Sequence, residues 1–488
     1  MSKTPTGISG IAAYVPPYRV DLQDWSAWRD QDWSKIRDVV GLGFRLPGPK
    51  QSVYTMAANA VLRLIEKFEI DPAKVRYLAL GTESSTDNSA GAVIVKGMID
   101  EALLEKGMQP LSRNCEVPEF KHACLGGIYG IKNAIRFLNT DGHDSKAIVV
   151  CSDIALYGLG SSGEPTQGAG AVAMLLETDP KLATMDLSES GSASDYRGLD
   201  FRKPIQYRNG SGQTCASSNI PVFNGRYSAS CYIDEMAHAL DDMFARRGLN
   251  AEAYQGQVEA IFMHRPFRRM PENGWGMAYL FGLAANTNGG QEELRSLCDE
   301  ACVDFGEVLQ EINGPRQVSG YAVREKIRDE IFPLLNKVLR QFRKHSGYKE
   351  FVLQKMSLGT GIMEELGNLY SGALPAWFAA GLEEAARNSI DLANKEVLLI
   401  GYGSGDAAEA IPVRIVDGWR DVALRIGIED AMANAVDLNE KQYISLRQGS
   451  AEDSLTFEPK DEFVVDRIGS LDEEGFQDTG IEYYRYIN

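Results

Sequence analysis

Short runs dominated by apolar residues alternate along this chain with longer segments of helical spacing. That alternation constrains the fold more than any other feature. Residues 8–15, 75–81, 147–152 and 169–176 are too short for full helices and carry almost no polar side chains. Runs of this kind are strands covered on both faces. Between them, residues 52–68 place Val53, Met56, Ala57, Ala60 and Leu64 along one helical face, and residues 128–138 form a second apolar helical run. A covered sheet with helices against it follows, an α/β fold.

The second half repeats this order loosely. A helical segment over 232–247 precedes the apolar run 258–263, which ends at His264 as the earlier helix and strand end at Glu83. Residues 396–401 run through a glycine-rich turn into 410–415, paralleling 147–152, its glycine-rich loop and 169–176. We read two pseudo-repeated βαβ halves, residues 1–180 and 181–488. Residues 291–349 are charged and helical in spacing, which predicts a helical insertion on the outside of the second half. The end at 481–486 is aromatic and β-like. In such a fold the strand ends bearing Glu83, Cys124 and His264 converge between the halves, where α/β sheets place their sites.

The net charge of −18 repels nucleic acid and anionic membranes. An anionic substrate therefore needs a local basic patch. Seven cysteines without C-x-x-C spacing argue against a disulfide framework and against a zinc site. Cys298 and Cys302, i and i+4 on a predicted helix, read as packing residues. The first residues lack an apolar signal core, and no apolar run approaches a membrane span. The expectation is a cytoplasmic protein that binds no metal.

Cys124 stands between an extended approach, 114–120, and a helical run. A thiol at a helix N-terminus is favoured as thiolate by the dipole. Gly126 and Gly127 follow at once and leave room for a carbonyl beside bare backbone, so nucleophile and oxyanion hole are both on offer. The plainer alternative is an inert buried cysteine. Glu83 at a strand end is either a loop carboxylate or a general base whose pKa apolar walls raise. His264 is either a core histidine or an acid–base group. Arg265, Arg268 and Arg269 beside it form a basic cluster suited to phosphates. Asn368, in a glycine-rich turn, offers an amide to a carbonyl. The run from Gly158 to Gly170 lacks the lysine of a nucleotide phosphate loop.

Taken in order, these segments resemble the 3-hydroxy-3-methylglutaryl-CoA synthase family of the thiolase superfamily, most closely its bacterial branch. The most specific match is the long run from Ser152 to Met174. Gly81-Thr-Glu-Ser, Ala123-Cys-Leu-Gly-Gly, His264-x-Pro-Phe-x-Arg-Met, Gly367-Asn-Leu-Tyr and Tyr402-Gly-Ser-Gly fall in the family's order. The resemblance implies a thiolase-like fold with αβαβα layers, a homodimer, and a catalytic set of Glu83, Cys124, His264 and Asn368. It implies acetyl transfer from acetyl-CoA to Cys124, deprotonation of the acetyl group by Glu83, and attack on acetoacetyl-CoA held by His264 and Asn368. Asp153, Tyr157, Thr166, Asp200, Tyr370 and Ser404 match positions that line or support the pocket. CoA thioesters are then the small-molecule partners and no cofactor is needed.

Two departures bear on substrate choice: Leu125 stands where the family usually has tyrosine, and Arg269 where it has a CoA-binding lysine. A β-branching synthase acting on an acyl carrier protein is an alternative in the same chemical class. A non-catalytic thiolase-fold subunit is an alternative outside it. A thiolase needs a second catalytic cysteine late in the chain, and none lies beyond Cys302.

Overall fold

Thr6–Tyr14 (β1) lies in the middle of a ten-stranded sheet in the computed structural model. The structure describes residues 4–85, 87, 89–203, 206–209, 211–216, 220–314, 330–450, 455 and 457–488. The other strands are β2 (Val75–Gly81), β3 (Glu119–Phe120), β4 (Lys146–Ala155), β5 (Gly168–Thr178), β6 (Ala183–Met185), β7 (Gly191–Ser194), β8 (Ala260–Met263), β9 (Glu396–Gly403) and β10 (Ala407–Ile415). Their order is β8-β9-β10-β6-β1-β5-β4-β2-β3, with β7 also on β10.

The pairings repeat. β2 and β4 are parallel, β4 and β5 antiparallel, β5 and β1 antiparallel. In the same succession β8 and β9 are parallel, β9 and β10 antiparallel, β10 and β6 antiparallel. β6 also pairs with β1, so this three-residue strand joins the two parts of the sheet.

Period-two alternation sets the layers. Leu78, Leu80, Ile148, Val150, Ala171, Ala173 and Leu175 face one way, onto helices α1 (Val53–Lys67) and α2 (Gly91–Glu105). Ser52 caps α1: its hydroxyl accepts from the amide of Thr55, whose hydroxyl accepts from the amide of Ser52. Tyr77, Ala79, Val149, Cys151, Val172 and Met174 face the opposite way, toward α3 (Gly126–Leu138). Leu125 and Ile128, at the start of α3, reach Gly401 on β9. Helix α3 thus lies between the two parts of the sheet. α4 (Gly225–Arg247) covers β7, β9 and β10, and α5 (Arg269–Ala285) packs on α4. α6 (Ala373–Arg387) packs on β8, β9 and β1. The succession is the layered α/β arrangement expected.

Three expectations change. α4 begins at Gly225, not 232, because its first turns, Gly-Arg-Tyr-Ser-Ala-Ser-Cys, bury only Tyr227, Ser230 and Cys231 and show no apolar stripe. Cys302 is exposed with φ 54°, beyond the helix Gly290–Glu300; of the two cysteines read as packing, only Cys298 is buried. The helices Gly290–Glu300, Phe305–Asn313 and Pro333–Phe342 extend the core and are more than a charged excursion. Leu294, Leu297, Val308, Leu335, Leu339 and Phe342 are buried in it, and Tyr279 of α5 stacks on Phe342 at 4.8 Å. Residues 315–329 of that stretch lie outside the described residues. No helix among the described residues is long and apolar enough to cross a membrane.

Candidate active site

Cys124 and His264 reach one cavity of about 220 Å³, and Glu83 stands behind Cys124. β2 ends at Gly81, two residues before Glu83; β8 ends at Met263, directly before His264. Cys124 precedes α3 and follows Ala123, whose left-handed φ of 42° costs about 1–3 kcal/mol in a residue with a Cβ. Cys124, His264, Asn368, Tyr157, Thr166, Tyr370 and Ser404 all line the cavity.

The Cys124 sulfur is 3.4 Å from Oε2 of Glu83. The other oxygen of Glu83 is 3.0 Å from the ammonium of Lys203, which also stands 4.3 Å above the ring of Tyr370. Burial raises the pKa of Glu83; Lys203 opposes this, and the charge of Asp153 adds to it. Burial and then Glu83 push the Cys124 thiol well above its ordinary value. The helix-dipole expectation is therefore corrected: the resting sulfur is a thiol that donates to Glu83, because desolvation and a neighbouring carboxylate outweigh the dipole.

The glycines after Cys124 serve packing. A Cβ on Gly126 would lie 2.5 Å from the Phe120 carbonyl oxygen, and one on Gly127 2.2 Å from the Cys151 sulfur. The amides of Leu125 and Gly126 donate to the carbonyls of His122 and Ala123, at 2.9 and 3.4 Å. They are not open donors for an oxyanion.

His264 is buried, and burial drives its pKa down to about 3, so the ring is a neutral imidazole. It stacks on Tyr402 at 6.4 Å, and its backbone carbonyl accepts from the Tyr232 hydroxyl at 2.9 Å. Oδ1 of Asn368 accepts from the Tyr370 amide at 2.8 Å, and the side chain also meets the Tyr157 hydroxyl. One amide group is thereby fixed in orientation at the cavity wall.

Other predicted residues stand behind the cavity. Both oxygens of Asp153 are used inside the protein. Oδ1 accepts from the amides of Glu83 and Ser84, at 2.8 and 2.9 Å, and Oδ2 from the amide of Ser371 at 3.0 Å. It holds the Glu83 loop and does not line the cavity. Asp200 accepts from the Tyr402 hydroxyl at 2.8 Å, and Asp406 lies 3.0 Å from the same hydroxyl. Behind them, the buried Arg197 pairs with Asp406, Asp234 and Glu235. Burial and then the Asp200 charge push Asp406 up to about 9; burial pushes Glu235 up to about 7 against the pull of Arg197.

The basic cluster is occupied by the protein itself. Arg265 is buried against Trp377, 4.9 Å from its ring, and points away from the cavity. Arg268 pairs with Glu272 and Glu364, at 3.4 and 3.2 Å. Arg269 pairs with Glu272 at 3.2 Å and donates to the Asp38 carbonyl at 3.0 Å. Leu125 is fully buried against β9, where a Cβ on Gly401 would lie 2.6 Å from its Cδ1.

Lys203 was invisible to sequence reasoning, since it follows Asp200 in an irregular stretch with no periodicity. Equally unforeseen is the ribbon formed by Phe201–Arg202 and Val222–Phe223. Phe201 meets the edge of Tyr370 at 6.1 Å and Phe223 that of Tyr157 at 5.6 Å, so the ribbon walls the cavity. Among the described residues no cluster of side chains is arranged to hold a metal.

Residues 3–181 match the family model described as hydroxymethylglutaryl-coenzyme A synthase N terminal. A hydroxymethylglutaryl-CoA synthase of Enterococcus faecalis is 31% identical over 298 residues, covering 61% of this chain and 69% of that protein. One from Haloferax volcanii is 26% identical over 422 residues, 86% of this chain and 85% of that one. The solved structure of MvaS in complex with 3-hydroxy-3-methylglutaryl coenzyme A has a TM-score of 0.75 at 24% identity, over 100% of both chains. The architecture is thiolase-like.

Proposed function

The chain belongs to the hydroxymethylglutaryl-CoA synthase family, and we propose that its Cys124 pocket condenses acetyl-CoA with acetoacetyl-CoA to give 3-hydroxy-3-methylglutaryl-CoA. One observation carries this reading. The Cys124 thiol rests on Glu83, 3.4 Å away, in a cavity shared with His264 and Asn368.

Cys124 attacks the acetyl carbonyl as Glu83 takes the thiol proton. CoA leaves as its thiol once it regains that proton, and acetyl-Cys124 remains. Glu83, ionised again, removes a proton from the acetyl methyl group. The resulting carbon attacks the ketone of acetoacetyl-CoA. Neutral His264 and the oriented amide of Asn368 donate N–H bonds to the oxygen on which charge develops. That oxygen takes up the proton which left the methyl group. Water then cleaves the Cys124 thioester, giving the free carboxylate of the product, the thiol and one proton released to solvent. Every step is an acyl transfer, a proton transfer, one carbon–carbon addition or a hydrolysis, so the scheme calls for no cofactor.

We assign the protein to the cytoplasm, in the mevalonate pathway, as a homodimer acting on CoA thioesters. Free cysteines such as Cys115, Cys151 and Cys298 suit a reducing compartment.

The test is intact mass after incubation with acetyl-CoA, followed by addition of acetoacetyl-CoA and identification of the product. One acetyl group on Cys124, then 3-hydroxy-3-methylglutaryl-CoA with CoA thiol release, is expected. Acetylation without that product would overturn the condensation. A folded protein that takes no acetyl group would overturn the catalytic reading altogether.

A further inference from the structure

A second cavity, about 350 Å³, shares no lining residue with the Cys124 pocket. Its walls come from the end of β1 (Tyr14) and the residues after it (Val15, Pro17), the short strand Gly43–Leu46 (Arg45), α1 (Arg63, Lys67), the segment 427–434, and the segment 457–462. In a chain of net charge −18, it gathers Arg45, Arg63, Lys67 and Lys460 against Asp430 and Glu462.

Among the described residues, Arg45, Arg63 and Lys67 form no ion pair within 4 Å; their hydrogen bonds go to backbone carbonyls, while Glu462 and Asp430 act on Arg63 and Lys67 from farther off. Arg45 is 3% exposed and donates to the carbonyls of Pro16 and Met432, at 3.4 and 2.9 Å. Its Nε has no partner. Arg63 donates to Ala13 at 3.2 Å and lies 4.8 Å above the ring of Tyr14. Lys67 donates to Ile426 at 2.8 Å. Glu462 is engaged by the Tyr14 hydroxyl at 2.6 Å. A buried guanidinium without a counter-ion is costly. Arg45 is such a cation, and the half-buried Arg63 and Lys67 around the same cavity add positive charge that a bound anion relieves.

We propose that this cavity is a second ligand site, for a small organic phosphate whose phosphoryl oxygens lie among Arg45, Arg63 and Lys67. A dianion with several oxygens matches three converging cations, where a carboxylate brings one charge. The cavity exceeds a bare phosphate, and Val15, Pro17 and Phe457 supply apolar wall for a carbon skeleton. An occupant touches α1 and the segments 427–434 and 457–462 at once, so binding stiffens their contact.

Inorganic phosphate and pyrophosphate are the probes, added to the full chain at constant ionic strength with chloride as control. Melting temperature and calorimetry are the readouts. Saturable binding with a rise in melting temperature is expected. Arg63→Gln with Lys67→Gln, at less buried positions than Arg45, weakens it at least about tenfold. Cys124→Ser leaves it unchanged, which separates this site from the catalytic reading. No effect beyond chloride would overturn the proposal. So would binding that survives Arg63→Gln with Lys67→Gln, or that vanishes instead in Arg268→Gln with Arg269→Gln.

Discussion

Lys203 holds its ammonium 3.0 Å from Oε1 of Glu83. The opposite oxygen of the same carboxylate receives the Cys124 thiol. Burial pushes the Glu83 carboxyl up, away from the ionised form a base needs, and the ammonium counters it.

Lys203→Met removes that counterweight, so the pKa of Glu83 rises further. Cys124 acetylation needs ionised Glu83, and its acidic limb moves to higher pH. At pH 7 the rate falls at least about tenfold, while Lys203→Arg restores most of it. Stopped-time intact mass across a pH series measures this. An unmoved limb with a merely lower rate would leave Lys203 a packing residue.

Asp153→Asn exchanges an acceptor on three backbone amides for a group that must turn a donor toward one of them. The Glu83 loop loosens at a cost of about 1–3 kcal/mol. The turnover number falls while KM for both thioesters holds, because Asp153 does not line the cavity. Denaturant titration and steady-state kinetics report the two effects separately.

Leu125→Ala costs about 2–5 kcal/mol, since the side chain is fully buried between α3 and β9. The ratio of acetyl to propionyl transfer onto Cys124 stays at its wild-type value. A changed ratio would mean that the side chain reaches the acyl pocket after all.

Asp406 and Glu235 hold their protons more tightly in the folded protein, near 9 and 7, than their ordinary values of 3.8 and 4.5 allow in the unfolded chain. Between those limits the folded state binds more protons than the unfolded state. Stability from this cluster therefore falls as pH rises from about 4 to about 9, by up to about 1.4 kcal/mol per pH unit for each proton. In Asp406→Asn the melting temperature declines less steeply over pH 5–9. Melting curves at matched ionic strength measure the two slopes.

The sequence exposed what periodicity and strand ends encode. β2, β4, β5 and β8 are short apolar runs, and Glu83, Cys124 and His264 stand where such runs stop or a helix starts. It concealed what depends on facing surfaces. The glycines after Cys124 look like access for a substrate, yet they admit Phe120 and Cys151. Three arginines after His264 look like one patch, yet Arg265 turns inward onto Trp377, Arg268 meets Glu364 far along the chain, and Arg269 meets Glu272 one turn on. Lys203 carries meaning only once Glu83 and Tyr370, far apart in the chain, stand beside it.

The cavity walls are split along the chain, Cys124, Tyr157 and Thr166 on one side and Tyr232, His264, Asn368 and Ser404 on the other. At about 5–20 residues per second, a ribosome needs roughly tens of seconds to pass from the first group to the last. Throughout that interval a nascent first half presents the inner side of α3 and the thiol beside it without β9 to cover them. Chaperone attendance and protection from oxidation matter most in that window, before the second half of the chain closes over the first.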